Sequence, residues 1–160
     1  MPRQPPLRIL MLAAPLIFIA HFSEEAPGFV DWFNTHVQRG ITAPLFWTVN
    51  YTALGITVGV VILEWLSASA ISAAVVVAWL SLLMLANALF HIAGALADRA
   101  YMPGLVTAML LYLPFWTWVI RCTLDQGRLS RSAVIAAAVV GAAPMLVHGY
   151  LIVFRGSRLF

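Results

Sequence analysis

The sequence predicts an all-α membrane protein, a compact bundle of about five transmembrane helices with one short amphipathic helix at the interface. Three observations predict it. Of the residues, 62% are hydrophobic and only 9% charged, whereas a soluble domain carries about a quarter charged residues to face water. Five apolar segments approach the roughly 20 residues that a helix needs to cross the hydrocarbon core. Neither an internal repeat nor a polar linker divides the chain, so residues 1–160 are read as a single integral-membrane domain.

The first span is expected from about Leu7 to Glu25, with Pro15 inside it as a kink and Pro27-Gly28 as its stop. Arg3 and Arg8 ahead of an apolar run look like the start of a signal peptide. The run ends on His21 and two glutamates, with no small-residue cleavage site, so a retained first helix is expected. Next come Phe29, Trp32, Phe33 and Val37 at helical spacing, with Asp31, Asn34 and Thr35 on other faces. That pattern suits an interfacial amphipathic helix, either a plain membrane anchor or a lid over a site. The remaining spans are expected at about Pro44 to Leu66, Ser69 to Leu96, Pro103 to Arg121 and Ser132 to Phe154. Pro114 and Pro144 each remove a backbone donor and should bend the fourth and fifth. Small residues from Ala93 to Ala97 and from Ala133 to Ala143 let helices approach closely.

Charge excludes one class of partner and weakly orients the chain. The net charge of +3 is spread over termini and loops, without the basic face that a phosphate backbone requires, so no nucleic acid is expected. With the N-terminus in the cytoplasm, Arg3, Arg8, Arg121, Arg128 and Arg131 fall inside, against Arg39, Arg99, Arg155 and Arg158 outside. The densest group lies between the fourth and fifth spans, which favours that orientation. Cys122 is the only cysteine, which rules out an intramolecular disulfide and a cysteine metal cage.

The stretch His21-Phe22-Ser23-Glu24-Glu25 sets an imidazole and two carboxylates at the edge of hydrocarbon, where ionisable groups are costly unless paired. The first, third and fifth spans must run in the same direction. His21, His91 and His148 sit near the ends of these three, hence at similar depth toward one membrane face. Asn87 lies one turn before His91 on the same helix face, and Asn50, Tyr51 and Tyr101 belong to the same end. Three imidazoles, two carboxylates and an amide make a ligand set suited to a divalent metal, Zn or Fe. On this reading His21, Glu24, Glu25, His91 and His148 are candidate ligands. Glu24 and Glu25 are also the candidate catalytic groups, while Asn50, Asn87 and Tyr101 are candidate cofactor-binding residues. Plainer readings stand beside these. His148 can be a neutral packed side chain, the glutamates the solvated end of a helix, and Asn87 interhelical glue. His36 is read as interfacial, and Glu64, at the far end of the second span, as a headgroup-level residue.

His21-Phe-Ser-Glu24-Glu25, Asn87-Ala-Leu-Phe-His91-Ile, Tyr101-Met-Pro103-Gly104 with Thr107-Ala108, and His148 together resemble the signature of the HXXEE family of bacterial membrane proteins, a domain of unknown function. The resemblance implies a multi-pass protein of the bacterial inner membrane and points to these positions without supplying a reaction. The leading expectation is a metalloenzyme, a hydrolase or oxidase, acting on a lipid or other hydrophobic substrate. The alternatives are a non-catalytic transporter or proton-coupled carrier, for which an oligomer could supply the missing symmetry, and a structural accessory subunit.

Overall fold

The structure is a computed structural model describing residues 5–156, and six helices without strands make up most of that range. Arg3 and Arg158, on which the expected charge balance partly rests, lie outside the described residues. Five helices are long and apolar enough to cross a membrane: α1 (Leu7–Glu25), α3 (Ala43–Ser67), α4 (Ala70–Asp98), α5 (Leu105–Asp125) and α6 (Arg131–Arg155). The sixth, α2 (Phe29–His36), is the short amphipathic helix between the first two spans. Leu16, Leu66, Ile71, Leu110 and Val140 all face outward, as a lipid-facing surface requires.

The helix ends follow local chemistry. Thr42, Ser69 and Ser130 cap α3, α4 and α6, each side-chain oxygen accepting a backbone N–H from the first turn, and Ser69 with Ser72 forms a reciprocal capping box. Pro27-Gly28 separates α1 from α2, and Gly28 caps the latter. Pro15 stands in the first turn of the longer α-helical part of α1, Ala14–Glu25, which follows a 3₁₀ turn at Met11–Ala13. Pro114 follows a π-helical stretch, Ala108–Tyr112, in α5. The wider turn accommodates a ring that would collide with a carbonyl one turn back. α6 runs through Pro144 as one continuous helix.

Lipid tails are as apolar as leucine, so the spans are held by close packing and interhelical hydrogen bonds rather than by the hydrophobic effect. Gly141 of α6 lies so near the Ala78 carbonyl of α4 that a Cβ there would overlap it. Gly149 packs on Phe90 in the same seam. The Trp79 indole donates to Thr57 Oγ1 at 3.0 Å, joining α4 to α3, and the Trp116 indole to Ser81 Oγ at 3.0 Å, joining α5 to α4. At the far end from the His21 cluster, the Leu7 N–H donates to Gln126 Oε1 and Gln126 Nε2 to the Pro5 carbonyl, tying α1 to the end of α5.

Glu64, expected at headgroup level, stands in the last turn of α3 and is fully buried within the protein, bridged by Arg128 Nη1 at 2.9 Å and accepting the Ser72 hydroxyl. Arg128 reaches it from the loop between α5 and α6.

Candidate metal centre

The last turn of α1 carries His21 and Glu25 four residues apart, hence on one face. The C-terminal half of α4 brings His91 against them. Nε2 of His21 and Nε2 of His91 lie 3.4 and 3.1 Å from the same Glu25 oxygen, Oε1. The two imidazoles meet edge to face with centroids 4.9 Å apart. Both histidines have 0% exposure and Glu25 4%. One ligand atom from each of the three lies within 4.8 Å of the other two.

Hydrogen bonding leaves this cluster incomplete. Despite their closeness to Glu25, both Nε2 atoms lack hydrogen-bond geometry, and His91 Nδ1 is also buried without a partner among the described residues. Such orphaned buried donors and acceptors are rare and call for a cause. A cation between them would supply one. Tetrahedral coordination at bonds of about 2.1 Å sets neighbouring ligand atoms about 3.4 Å apart, close to the two nitrogen–oxygen separations. Two imidazoles and a carboxylate are also a donor set that holds Zn or Fe with a coordination position left open. The buried His21–Glu25–His91 group can therefore hold a metal ion.

Around it, the start of α5 orients the ligands. His21 Nδ1 lies 2.8 Å from Thr107 Oγ1, while the Thr107 hydroxyl donates to the Gly104 carbonyl at 3.3 Å. With that proton committed, Thr107 Oγ1 accepts from Nδ1–H, which leaves the lone pair of His21 on Nε2, toward Glu25. Gly104 has a φ of +93°, a conformation that favours glycine, and it closes over the cluster. A Cβ there would sit 2.6 Å from His91 Cε1 and 2.9 Å from Glu25 Cγ. The Tyr112 ring lies over His21, with centroids 4.1 Å apart, and its hydroxyl is buried without a partner among the described residues.

Glu24 stands apart from this cluster. Its carboxylate accepts the backbone N–H groups of Val106 and Thr107 at 3.0 and 2.7 Å and the Tyr101 hydroxyl at 2.6 Å. These are the first, otherwise unpaired donors of α5, so α1 caps α5. Partial burial and the accepting Glu24 carboxylate push the Tyr101 phenol above its usual range, and it remains a neutral donor at physiological pH. Of the residues singled out in sequence, the structure thus joins His21, Glu25 and His91, and puts Glu24 and Tyr101 in the supporting contacts. His148, Asn50 and Asn87 line a neighbouring cavity that Glu25 also lines. Thr107, Gly104 and Tyr112 were not among the expected site residues. Thr107 and Gly104 did lie in the stretch with family resemblance, while nothing local in sequence marked Tyr112.

That cavity, about 370 Å³, is walled by α1, α3, α4 and α6 and roofed by Phe29 and Phe33 of α2. Its lining is otherwise apolar. The amphipathic helix is held over it by Asp98, which accepts the Trp32 indole N–H at 2.6 Å and lies 3.0 Å from His36 Nε2.

A family model described as a protein of unknown function with HXXEE motif matches residues 12–119. That stretch covers α1 to most of α5, with every residue of the cluster and of its immediate support. No curated protein and no solved structure matches the chain.

Proposed function

Since the chain belongs to the HXXEE family, whose function is unknown, we propose its function from the site itself: a membrane-embedded enzyme that uses a divalent metal. The ion, Zn or Fe, is held by His21, Glu25 and His91, and the substrate is a lipid or another hydrophobic molecule. The setting is the plasma membrane of a bacterium, which the family resemblance implies. The single observation that carries the reading is the position of Glu25. Its carboxylate meets two orphaned imidazole nitrogens on one side, and the residue lines an apolar cavity within the spans on the other.

A bound divalent ion supplies Lewis acidity and an open coordination position. The chain supplies the rest. Thr107 holds His21 in the tautomer that presents Nε2, and Gly104 and Tyr112 pack over the ligands and exclude water. Asn50, Asn87 and His148 put polar groups on an otherwise apolar lining. In such a water-poor setting each electrostatic contact counts for more than it would in solvent.

Metal analysis of protein purified in mild detergent tests the proposal. Stoichiometric Zn or Fe is expected in the wild type and close to none in His91→Ala and Glu25→Ala, with helix content by circular dichroism unchanged. Metal-free wild type, or metal retained in both variants, would overturn it. In the metal-free case a proton relay through His21, Glu25 and His91 becomes the better reading.

A further inference from the structure

We infer that the cavity beside the metal centre takes a single-chain amphiphile whose head group donates a hydrogen bond, and that this molecule enters sideways from the bilayer between α3 and α6. The inference rests on the proposed function and names the substrate class of that site.

Volume decides first. At about 370 Å³, the cavity is at the small end of the roughly 300–1,000 Å³ typical of small-molecule sites. One chain with a small head fits that space, whereas a diacyl phospholipid with its headgroup does not. The walls suit a chain, since Phe29, Phe33, Phe46 and Phe90 line them together with aliphatic residues of α3 and α6.

The entrance follows from exposure. Leu45 and Val49 line the cavity and yet are 44% and 57% exposed, on the outward side of a span. α6 packs along α4 and touches α2 but hardly meets α3. A side opening between α3 and α6 therefore leads from hydrocarbon into the cavity, without passage through water.

The head group is specified by an unmet hydrogen bond. Among the polar lining residues, Asn50 already donates its amide to the Phe46 carbonyl at 3.0 Å. Asn87 Oδ1, by contrast, is buried and has no partner among the described residues. A buried amide oxygen left unpaired is costly, and only a donor satisfies it. A hydroxyl or N–H on the head group does so and keeps the head within the cavity that Glu25 also lines. An ether or a hydrocarbon end cannot. Sites built to bond a substrate hydroxyl reject analogues that lack one far more strongly than apolar pockets distinguish one methylene.

Native mass spectrometry tests this on the full chain in nanodiscs of diacyl phosphatidylcholine, offered dodecanol and dodecyl methyl ether in equal amounts. The alcohol adduct should exceed the ether adduct about tenfold, the effect of one buried hydrogen bond. Asn87→Leu should bring the ratio near unity. Val49→Trp, a lipid-facing change at the entrance, should reduce both adducts and leave the metal content unchanged. Equal alcohol and ether occupancy in the wild type would overturn the inference, as would retention of phosphatidylcholine in place of either, or an undiminished preference in Asn87→Leu. The same spectra count metal, which separates the two claims. Alcohol preference without metal removes the metalloenzyme and leaves the amphiphile site. Metal without preference removes only the amphiphile.

Discussion

Adjacent residues on an α-helix point about 100° apart, and at the end of α1 this separates two carboxylates that look alike in sequence. Glu25 turns into the bundle toward His21 and His91, while Glu24 turns toward the start of α5 and accepts the backbone N–H groups of Val106 and Thr107. The carboxylate of Glu24 therefore acts on the site through Thr107, which holds His21. Loss of such an outer contact lowers metal affinity by about 10–100-fold in well-studied sites. Glu24→Ala should fall in that range, measured by competition with a chelator, whereas Glu25→Ala should abolish binding. Equal effects of the two substitutions would place both carboxylates on the metal. Gly104 adds a steric condition at this scale, because no side chain can be added there without displacing His91 or Glu25.

At the scale of elements, α2 is held by the packing of its aromatic residues on α3 and α4 and by one carboxylate. It follows α1 by a short turn, packs Phe29 and Phe33 inward, and is tied to the end of α4 by one carboxylate, Asp98. Trp32 and His36 stack on each other at 4.2 Å, so the two groups that Asp98 engages move as a unit. Asp98→Asn weakens both contacts at once. Amide exchange across Phe29–His36 is expected to rise several-fold, while exchange in α3 and α6 stays as in the wild type. Unchanged exchange in α2 would mean that its aromatic packing alone holds it. The π-helical stretches Ser81–Ala86 and Ala108–Tyr112 are, with the 3₁₀ turn of α1, the irregular elements among the described residues. The second carries Tyr112 to its place over His21, and such stretches recur at functional sites.

For the whole molecule, the two membrane ends are built on different principles. The end with His21, Glu25 and His91 leaves several buried polar atoms unpaired, whereas the opposite end pairs its buried carboxylate and leaves only Arg128 Nε without a partner among the described residues. There Arg128 makes a two-pronged bridge to Glu64, at 2.9 and 3.1 Å, and also donates to the Ser69 carbonyl at 2.6 Å. One loop side chain thereby joins the end of α3, the start of α4 and the loop before α6. Removing one partner of a buried ion pair costs about 3–5 kcal/mol, because the other charge is left stranded. Arg128→Ala should lower stability by that amount in detergent unfolding titrations. Glu64→Leu combined with Arg128→Met should recover most of it, and failure to recover would show that hydrogen bonds to Ser69 and Ser72 dominate. Metal content should be unaffected in either variant, since the site lies at the other end.

Much of this protein was determined by sequence alone, for reasons of length and parity. A run of about 20 apolar residues has no stable place other than across a bilayer, and the order of such runs decides which ends share a face. His21 and His91 could thus be put at one depth before any packing was known. The His-x-x-Glu-Glu stretch, with the later Asn, His and Tyr-x-Pro-Gly positions, likewise identified the family. Depth is one coordinate only. Rotation of each helix about its axis, and the loops between helices, were decided by tertiary packing. Packing sends Glu25 rather than Glu24 to the histidines, turns His148 and Asn87 toward a cavity, and lays Thr107 and Gly104 against the cluster. It also buries Glu64, whose partner is 64 positions away in a loop. Hydropathy measures the cost of a residue in hydrocarbon, and it contains nothing about which neighbour removes that cost.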